Sequence, residues 1–321
     1  NNNFFNLLTT INNAPAEAQC FLHSNQSSVV DSIQLQIYFC SNCGHVQTGG
    51  HLVSYYKDVI TASGSSRSVM ETRLNNIVNA VDNYSEFSEI HLLDIGSGDF
   101  SFIDYIKKSD IFSSATGLEN SLKKNHQDSL HNAYYFQGYI DKHASLDTTP
   151  LMSSYYQFLT CFNFLEHIPE PYSFLQQIKK YLSDSALLYF TVPSLDFILR
   201  TNCVHEFIAD HISYFSVRSL SLLFQRCGYT VIKCNSINND NDLEILATYK
   251  PPGIPTINAG FNAFKNQLAK LNGVESAGEQ FNVTPSIQQT LETRMQESSA
   301  FLSSINMVGV DELKGEKLAL G

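Results

Sequence analysis

The stretch HLLDIGSGDF at 91–100, followed by ATGLEN at 115–120, decides the fold. An apolar run ending in Asp94-Ile95 feeds a glycine turn, Gly96-Ser97-Gly98, and an amphipathic segment with Phe102, Ile103 and Ile106 comes next. A second short apolar run then closes on Glu119. The pattern predicts a strand, a tight turn at a helix N-terminus, and an acid on the tip of the following strand. Glycines at 96 and 98 let a ligand approach the backbone where a β-carbon would collide. An acid ~20 residues further on is placed to hold a pair of ribose hydroxyls. Together they point to a nucleoside cofactor. The bland alternative is an ordinary strand–turn–helix with chance glycines, because a lone glycine-rich turn is a weak signal.

A dinucleotide site reads G-x-G-x-x-G, so that pyrophosphate rests on the helix N-terminus. Here Phe100-Ser101 stand where the third glycine falls, and the pattern fails for NAD or FAD. The opening Asp94-Ile95-Gly96-Ser97-Gly98 resembles instead the first motif of class I S-adenosylmethionine-dependent methyltransferases, whose cofactor has a methionine tail and no phosphate. The resemblance continues in YYQFLTCFNFLEHIPEP at 155–171, which is similar to that family's fourth strand and the loop after it; Asn163, Leu165, Glu166, His167 and Pro171 match. The family likeness implies a cofactor site of Asp94, Gly96, Ser97, Gly98, Glu119, Asn120, Phe162 and Asn163. Gly96 and Gly98 would line the methionine moiety, Glu119 would accept both ribose hydroxyls, and the Asn163 loop would close over the adenine or the sulfonium.

Downstream, Phe174, Leu175, Ile178, Tyr181 and Leu182 recur at helical spacing. ALLYFTVPS at 186–194 reads as a buried parallel strand. Ser216 is an N-cap candidate for a helix ending at Gly228, and the runs at 229–234 and 243–249 form a hairpin pair. Strand and helix alternate from about 91 to 250. The expected fold is therefore α/β, a doubly wound seven-stranded Rossmann-like methyltransferase sheet. Around it are expected an N-terminal zinc-ribbon-like module over 1–65 and C-terminal helices, with the methyltransferase domain at 66–250.

Two flanking segments narrow the expectation. Cys40-Ser41-Asn42-Cys43-Gly44 sets two thiols three apart on a turn, as half of a zinc knuckle does. Cys20, His23 and His45 lie nearby without the expected spacing. The text around them is similar to the zinc-binding module of sugar C-methyltransferases, which implies zinc on Cys40 and Cys43 completed by an upstream pair; otherwise they are two plain thiols. The second segment is EFIADHISYFSVRSL at 206–220. The same family carries Tyr-His-Glu-His-x-x-Tyr-Phe-Ser here, and His211, Tyr214, Phe215 and Ser216 match, while Ile208, Ala209 and Asp210 depart. The likeness implies His211 as a base that removes a proton beside a ketone, with His167 and Tyr56 (or Tyr55) orienting the substrate. The bland reading is a histidine hydrogen-bonded within its loop.

Composition bounds the rest. The chain has 321 residues, 43% of them apolar, and carries a net charge of −11. Its basic residues do not cluster beyond Lys123-Lys124 and Lys179-Lys180, which disfavours a nucleic-acid substrate. Seven cysteines, an odd number, fit a reducing compartment. Without an 18-residue apolar run or a signal-peptide pattern, a cytoplasmic protein with no membrane partner is expected. PPGIP at 251–255 reads as a linker, and apolar stripes at Phe261–Leu271 and Ile287–Phe301 read as helices that pack on the sheet or dimerise. LKGEKLALG at 313–321 resembles the start of a further α/β domain in the C-methyltransferases. The expected function is C-methylation next to a ketone on a small molecule, such as a sugar nucleotide or a related natural-product metabolite, by a monomer or homodimer. O- or N-methylation and a non-catalytic cofactor-binding scaffold are the rivals.

Overall fold

The computed structural model describes residues 5–16, 32–49, 66–120, 126–138, 140, 151 and 155–250. The chain opens with three antiparallel strands, β1 (Phe5–Pro15), β2 (Ser32–Cys40) and β3 (Val46–Thr48). The helix α1 (Arg67–Tyr84) leads into β4 (His91–Ile95), α2 (Ser101–Ile106), β5 (Ser114–Glu119), β6 (His126–Asp128) and β7 (Ala133–Gln137). Then come β8 (Tyr156–Phe162), α3 (Pro171–Ile178), β9 (Leu182–Pro193), α4 (Leu195–Thr201), β10 (Ser213–Tyr214), α5 (Val217–Arg226), β11 (Tyr229–Ile237) and β12 (Asp242–Tyr249).

The main sheet runs β11-β12-β9-β8-β4-β5-β7-β6. It has eight strands, one more than the sequence reading. The extra one is the three-residue β6, antiparallel to β7 at the sheet edge, too short to leave a periodic signal. The β4, β5, β7, β8 and β9 ladders are parallel, and β12 enters antiparallel between β9 and β11. From β4 the chain builds outward through β5 to β7, then returns to lay β8 on the other flank of β4. That reversal opens a crevice at the carboxyl ends of β4 and β8, where open α/β sheets bind ligands.

Both faces of the sheet are buried, so its strands are apolar at nearly every position. Leu93, Ile95, Leu159 and Leu188 pack with α3 and α5 through Phe174, Leu175, Leu220 and Phe224. Their neighbours Leu92, Phe158, Leu187 and Leu246 face the other way, against Ile77 and Ala80 of α1 and Phe102, Ile103 and Ile106 of α2. The Ser216 cap forms as expected: its side chain accepts from the Ser219 amide while the Ser219 hydroxyl accepts from the Ser216 amide. The helix α5 stops before Gly228, which turns the chain at φ +83°.

The N-terminal strands form a second sheet in the order β1-β2-β3-β10. Its last strand comes from the half that builds the larger sheet: Ser213 pairs with Gln47 and Tyr214 with Val46. The Thr48 amide donates to the Ile212 carbonyl at 2.9 Å. This sheet thus clamps the segment just after His211. Leu35, Ile37, Phe39 and Val46 fill its inner face against Leu195, Ile198 and Tyr214. The described part of the first segment is therefore an antiparallel sheet tied into the larger unit; Cys20 and His23 lie outside the described residues. The helices and further domain expected after residue 250 lie outside the described residues.

Candidate active site

Three loops meet at the carboxyl ends of β4, β5 and β8. The first is the glycine turn. Gly96 and Gly98 take φ of +75° and +58°, a region glycine enters at no steric cost. The amides of Gly96 and Ser97 both donate to the Leu118 carbonyl, at 3.0 and 3.2 Å, and this pins the turn to the tip of β5.

Asp94 holds the turn from below. Parallel register sets it between Gly117 on β5 and Thr160 on β8. Its Oδ1 accepts from the Thr160 hydroxyl at 2.7 Å, and the Ser97 hydroxyl lies 2.7 Å from Oδ2 and 2.9 Å from the Asp94 carbonyl. Burial outweighs those hydrogen bonds and the nearby Arg73 guanidinium, and raises the carboxyl to about 6. Through these bonds Asp94 and Ser97 fix the shape of the glycine turn.

Phe100 has a structural explanation. It adopts the left-handed conformation at φ +64° and is completely buried, its ring edge-on to Tyr135 with centroids 5.4 Å apart. A β-carbon at Gly117 would stand 2.7 Å from the Phe100 ring and 2.9 Å from Ser97 Oγ. Gly117 thus makes room for a phenylalanine that anchors the turn beneath β5, and burying that ring contributes about 2–3 kcal/mol. The side chain points into the core, away from the face a ligand would use.

The second loop carries Glu119. Its Oε2 accepts from the Gly98 amide at 2.9 Å, so the ribose-binding candidate and the second glycine are directly joined. Asn120 follows at the rim, its carbonyl accepting from Gln137 Nε2 at 3.1 Å.

The third loop follows β8. Phe162 is buried against Phe102 and carries the Arg73 guanidinium over its ring at 4.1 Å. Asn163 turns the chain at φ +48°; its Oδ1 accepts from the Thr191 hydroxyl at 2.8 Å, and its Nδ2 lies 3.4 Å from Asp242 Oδ1. The ring of Phe164 then folds back onto Gly96.

Beyond Phe164 lies a compact polar cluster. Glu166 is buried, and desolvation raises its carboxyl to about 8. His167 Nδ1 lies 2.9 Å from the Asp210 carbonyl, and its Nε2 lies 3.8 Å from Glu166 Oε1. His211 is 7% exposed, its ring edge-on to that of His167 with centroids 4.8 Å apart. Burial, with His167 adding to it, lowers the His211 imidazole to about 3, which keeps it neutral and weakens it as a lone base. The Ile212 amide donates to the Glu166 carbonyl at 2.8 Å, locking the two loops together.

The fold thus brings together eight cofactor candidates and two of the three catalytic ones; Tyr55 and Tyr56 lie outside the described residues. Sequence reasoning gave no role to Arg73, Thr160, Phe164 and Glu166. Glu166 was within reach because it stands in the quoted loop motif, whereas Arg73 sits on a helix whose packing no local pattern reveals. Cys40 and Cys43 share a turn closed by the Gly44 amide donating to the Cys40 carbonyl at 2.8 Å. Both are free thiols, and burial pushes the Cys43 thiol upward. Among the described residues no third donor joins them, and His45 is half-buried, its imidazole lowered to about 4 by desolvation and its ring packed on Phe215.

A family model described as a methyltransferase domain matches residues 69–233, slightly more than half of the chain. The chain belongs to this methyltransferase family. The matched span of the methyltransferase runs from the first turn of α1 into β11 and so contains the glycine turn, Glu119, Asn163 and the histidine cluster. Solved structures similar to it include S-adenosylmethionine-dependent methyltransferases from Archaeoglobus fulgidus (14% identity, 58% of this chain and 95% of that one, TM-score 0.40) and Aquifex aeolicus (12%, 58% and 99%, TM-score 0.38). The CurJ carbon methyltransferase is similar at 12% identity, over 57% of this chain and 55% of that one, with a TM-score of 0.43. No helix among the described residues is long and apolar enough to cross a membrane.

A separate likeness covers the C-terminal part. Residues 260–321 match the family of P2 phage major capsid proteins. Over 63 residues the chain is 49% identical to a capsid protein of Escherichia phage P2 and 41% identical to the major capsid protein of Serratia phage KSP20. The chain spans 18% of the length of these curated relatives.

Proposed function

We propose that this methyltransferase transfers a methyl group from S-adenosylmethionine to a small molecule bound in the crevice at the ends of β4, β5 and β8. The observation that carries the reading is the Glu119–Gly98 hydrogen bond: it places a carboxylate at the glycine turn, where one ribose can meet both. In this reading Glu119 takes the ribose hydroxyls, the glycine turn at Gly96 and Gly98 runs along the methionine moiety, and the Asn163–Phe164 loop, packed on Gly96, covers the reactive end. Asn120 and Phe162 complete the walls.

The finer reading is methylation of a carbon next to a ketone, as the likeness to sugar C-methyltransferases suggests. His211 and His167, with Tyr56, then handle the acidic hydrogen and the carbonyl of a sugar nucleotide or similar metabolite in the cytoplasm. A net charge of −11 supports a small molecule over a nucleic acid. A structural zinc on Cys40 and Cys43 belongs to this reading only with donors from outside the described residues. We assign residues 251–321 to a separate segment following the methyltransferase domain, because β12 closes the sheet at Tyr249.

Incubation with methyl-labelled S-adenosylmethionine and a cellular metabolite pool tests the function. Label should enter the small-molecule fraction with release of S-adenosylhomocysteine, and His211→Ala should lower that transfer by roughly 10²–10⁴ while cofactor affinity holds. Label found only in protein or nucleic acid would overturn the small-molecule assignment. Label in the small-molecule fraction that an ester- or amine-cleaving treatment removes would favour O- or N-methylation.

A further inference from the structure

Glu166, His167 and His211 stand out among the polar clusters of the described residues. One donor atom from each can be chosen so that all three lie within 4.8 Å of one another, and among the described residues no other group of three histidine, cysteine or acidic side chains meets that condition. Glu166 and His211 are buried at 1% and 7% exposure. Glu166 Oε2 and His211 Nδ1 are nevertheless without a hydrogen-bond partner, an arrangement proteins avoid because a buried polar atom forfeits water without replacement.

The surroundings resemble a ligand shell. His167 Nδ1 lies 2.9 Å from the Asp210 carbonyl, so the ring donates there and carries its lone pair on Nε2, the nitrogen facing Glu166. A ligating histidine characteristically holds its second nitrogen this way. Bonds of about 2.1 Å in a tetrahedral site set donors roughly 3.4 Å apart, so closure asks for side-chain shifts of about an ångström. Two imidazoles and one carboxylate suit borderline divalent ions, with positions left open.

We propose that Glu166, His167 and His211 bind a divalent first-row transition-metal ion whose open position takes an oxygen of the methyl-accepting substrate. The role at the substrate rests on the function proposed above; the binding does not. His211 acts here as a ligand in place of the base role given to it above, and β10, paired to the N-terminal sheet two residues further on, braces it.

Cobalt(II) titrated into the full, metal-stripped chain tests this. Visible d–d absorption from this site should saturate near one ion per chain; a near-ultraviolet cobalt–thiolate band would report the separate Cys40–Cys43 pair. Glu166→Gln, which keeps shape and removes charge, should weaken binding more than 100-fold, since losing only a supporting residue costs ~10–100-fold. His211→Ala should do the same, and Cys43→Ser should leave binding unchanged. Circular dichroism verifies each fold; if His211→Ala unfolds, Glu166→Gln decides. Absent d–d bands, d–d bands lost with Cys43→Ser, or bands indifferent to Glu166→Gln overturn the site. Calorimetry with S-adenosylmethionine runs on the same samples: cofactor binding without cobalt binding rejects the metal alone, and cobalt binding without cofactor binding rejects the methyltransferase reading alone.

Discussion

The ring of Phe164 lies directly on Gly96: a β-carbon built at that glycine would stand 2.6 Å from two of its ring atoms. The first glycine of the cofactor turn and the loop after β8 are thus fitted to one another. Gly96→Ala should destabilise the protein on two counts. The left-handed backbone at φ +75° costs a residue with a β-carbon about 1–2 kcal/mol, and crowding Phe164 adds about 1–3 kcal/mol. In urea denaturation, adding Phe164→Ala should recover the crowding part, so the double variant is less destabilised than the sum of the singles. Strict additivity would separate the two residues.

Asp94 gives the protein a pH signature. Its folded-state value of about 6 exceeds the ordinary 3.8, chiefly through burial, so folding favours the protonated form. The unfavourable contribution is absent below about pH 3.8, grows as pH rises through the window to about 6, and is complete above it, reaching about 3 kcal/mol. Asp94→Asn does not titrate. Its stability relative to wild type should therefore improve by up to that amount between pH 4 and pH 7, measured by chemical denaturation at each pH. A constant difference across the range would show that Asp94 titrates alike in both states.

Gly117 should be as intolerant as Gly96 for a different reason. Its backbone is ordinary, but a β-carbon there meets Phe100, Ser97 and Ile103 at 2.7–3.0 Å. Gly117→Ala should cost about 1–3 kcal/mol of stability and weaken cofactor binding by displacing the turn. Paired with Phe100→Leu, the stability loss should shrink. If calorimetry found full cofactor affinity in Gly117→Ala, Phe100 would not be the anchor described.

The separate C-terminal segment is checked by truncation. Ending the chain after Lys250 keeps all eight strands of the main sheet, including β12 between β9 and β11. Cooperative thermal unfolding and cofactor affinity should both persist. Loss of cofactor affinity on truncation would make 251–321 part of the methyltransferase unit.

Much of the fold was legible because central parallel strands are buried on both faces and therefore announce themselves as apolar runs, as 91–95 and 186–192 do. Ser216 and Gly228 marked the limits of α5 through cap chemistry that is local by nature. What stayed hidden depends on distant partners. Nothing local says that Phe100 needs Gly117, that Thr160 completes Asp94, or that Arg73 reaches Phe162 from α1. The strand β6 was too short to show a period, and β10 is two residues whose pairing with β3 spans most of the chain. Of the site, the glycine turn and Glu119 were readable from spacing, whereas the union of Glu166, His167 and His211 required the folded loops.

The most direct measurement is calorimetric titration of S-adenosylmethionine into wild type and Glu119→Ala side by side. Wild type should bind one molecule per chain, displaceable by S-adenosylhomocysteine. Glu119→Ala should lose roughly 1.5–3 kcal/mol, about 10- to 150-fold in affinity, because a charged acceptor of the ribose hydroxyls is gone. No binding by well-folded wild type, or equal affinity in the two proteins, would contradict the account.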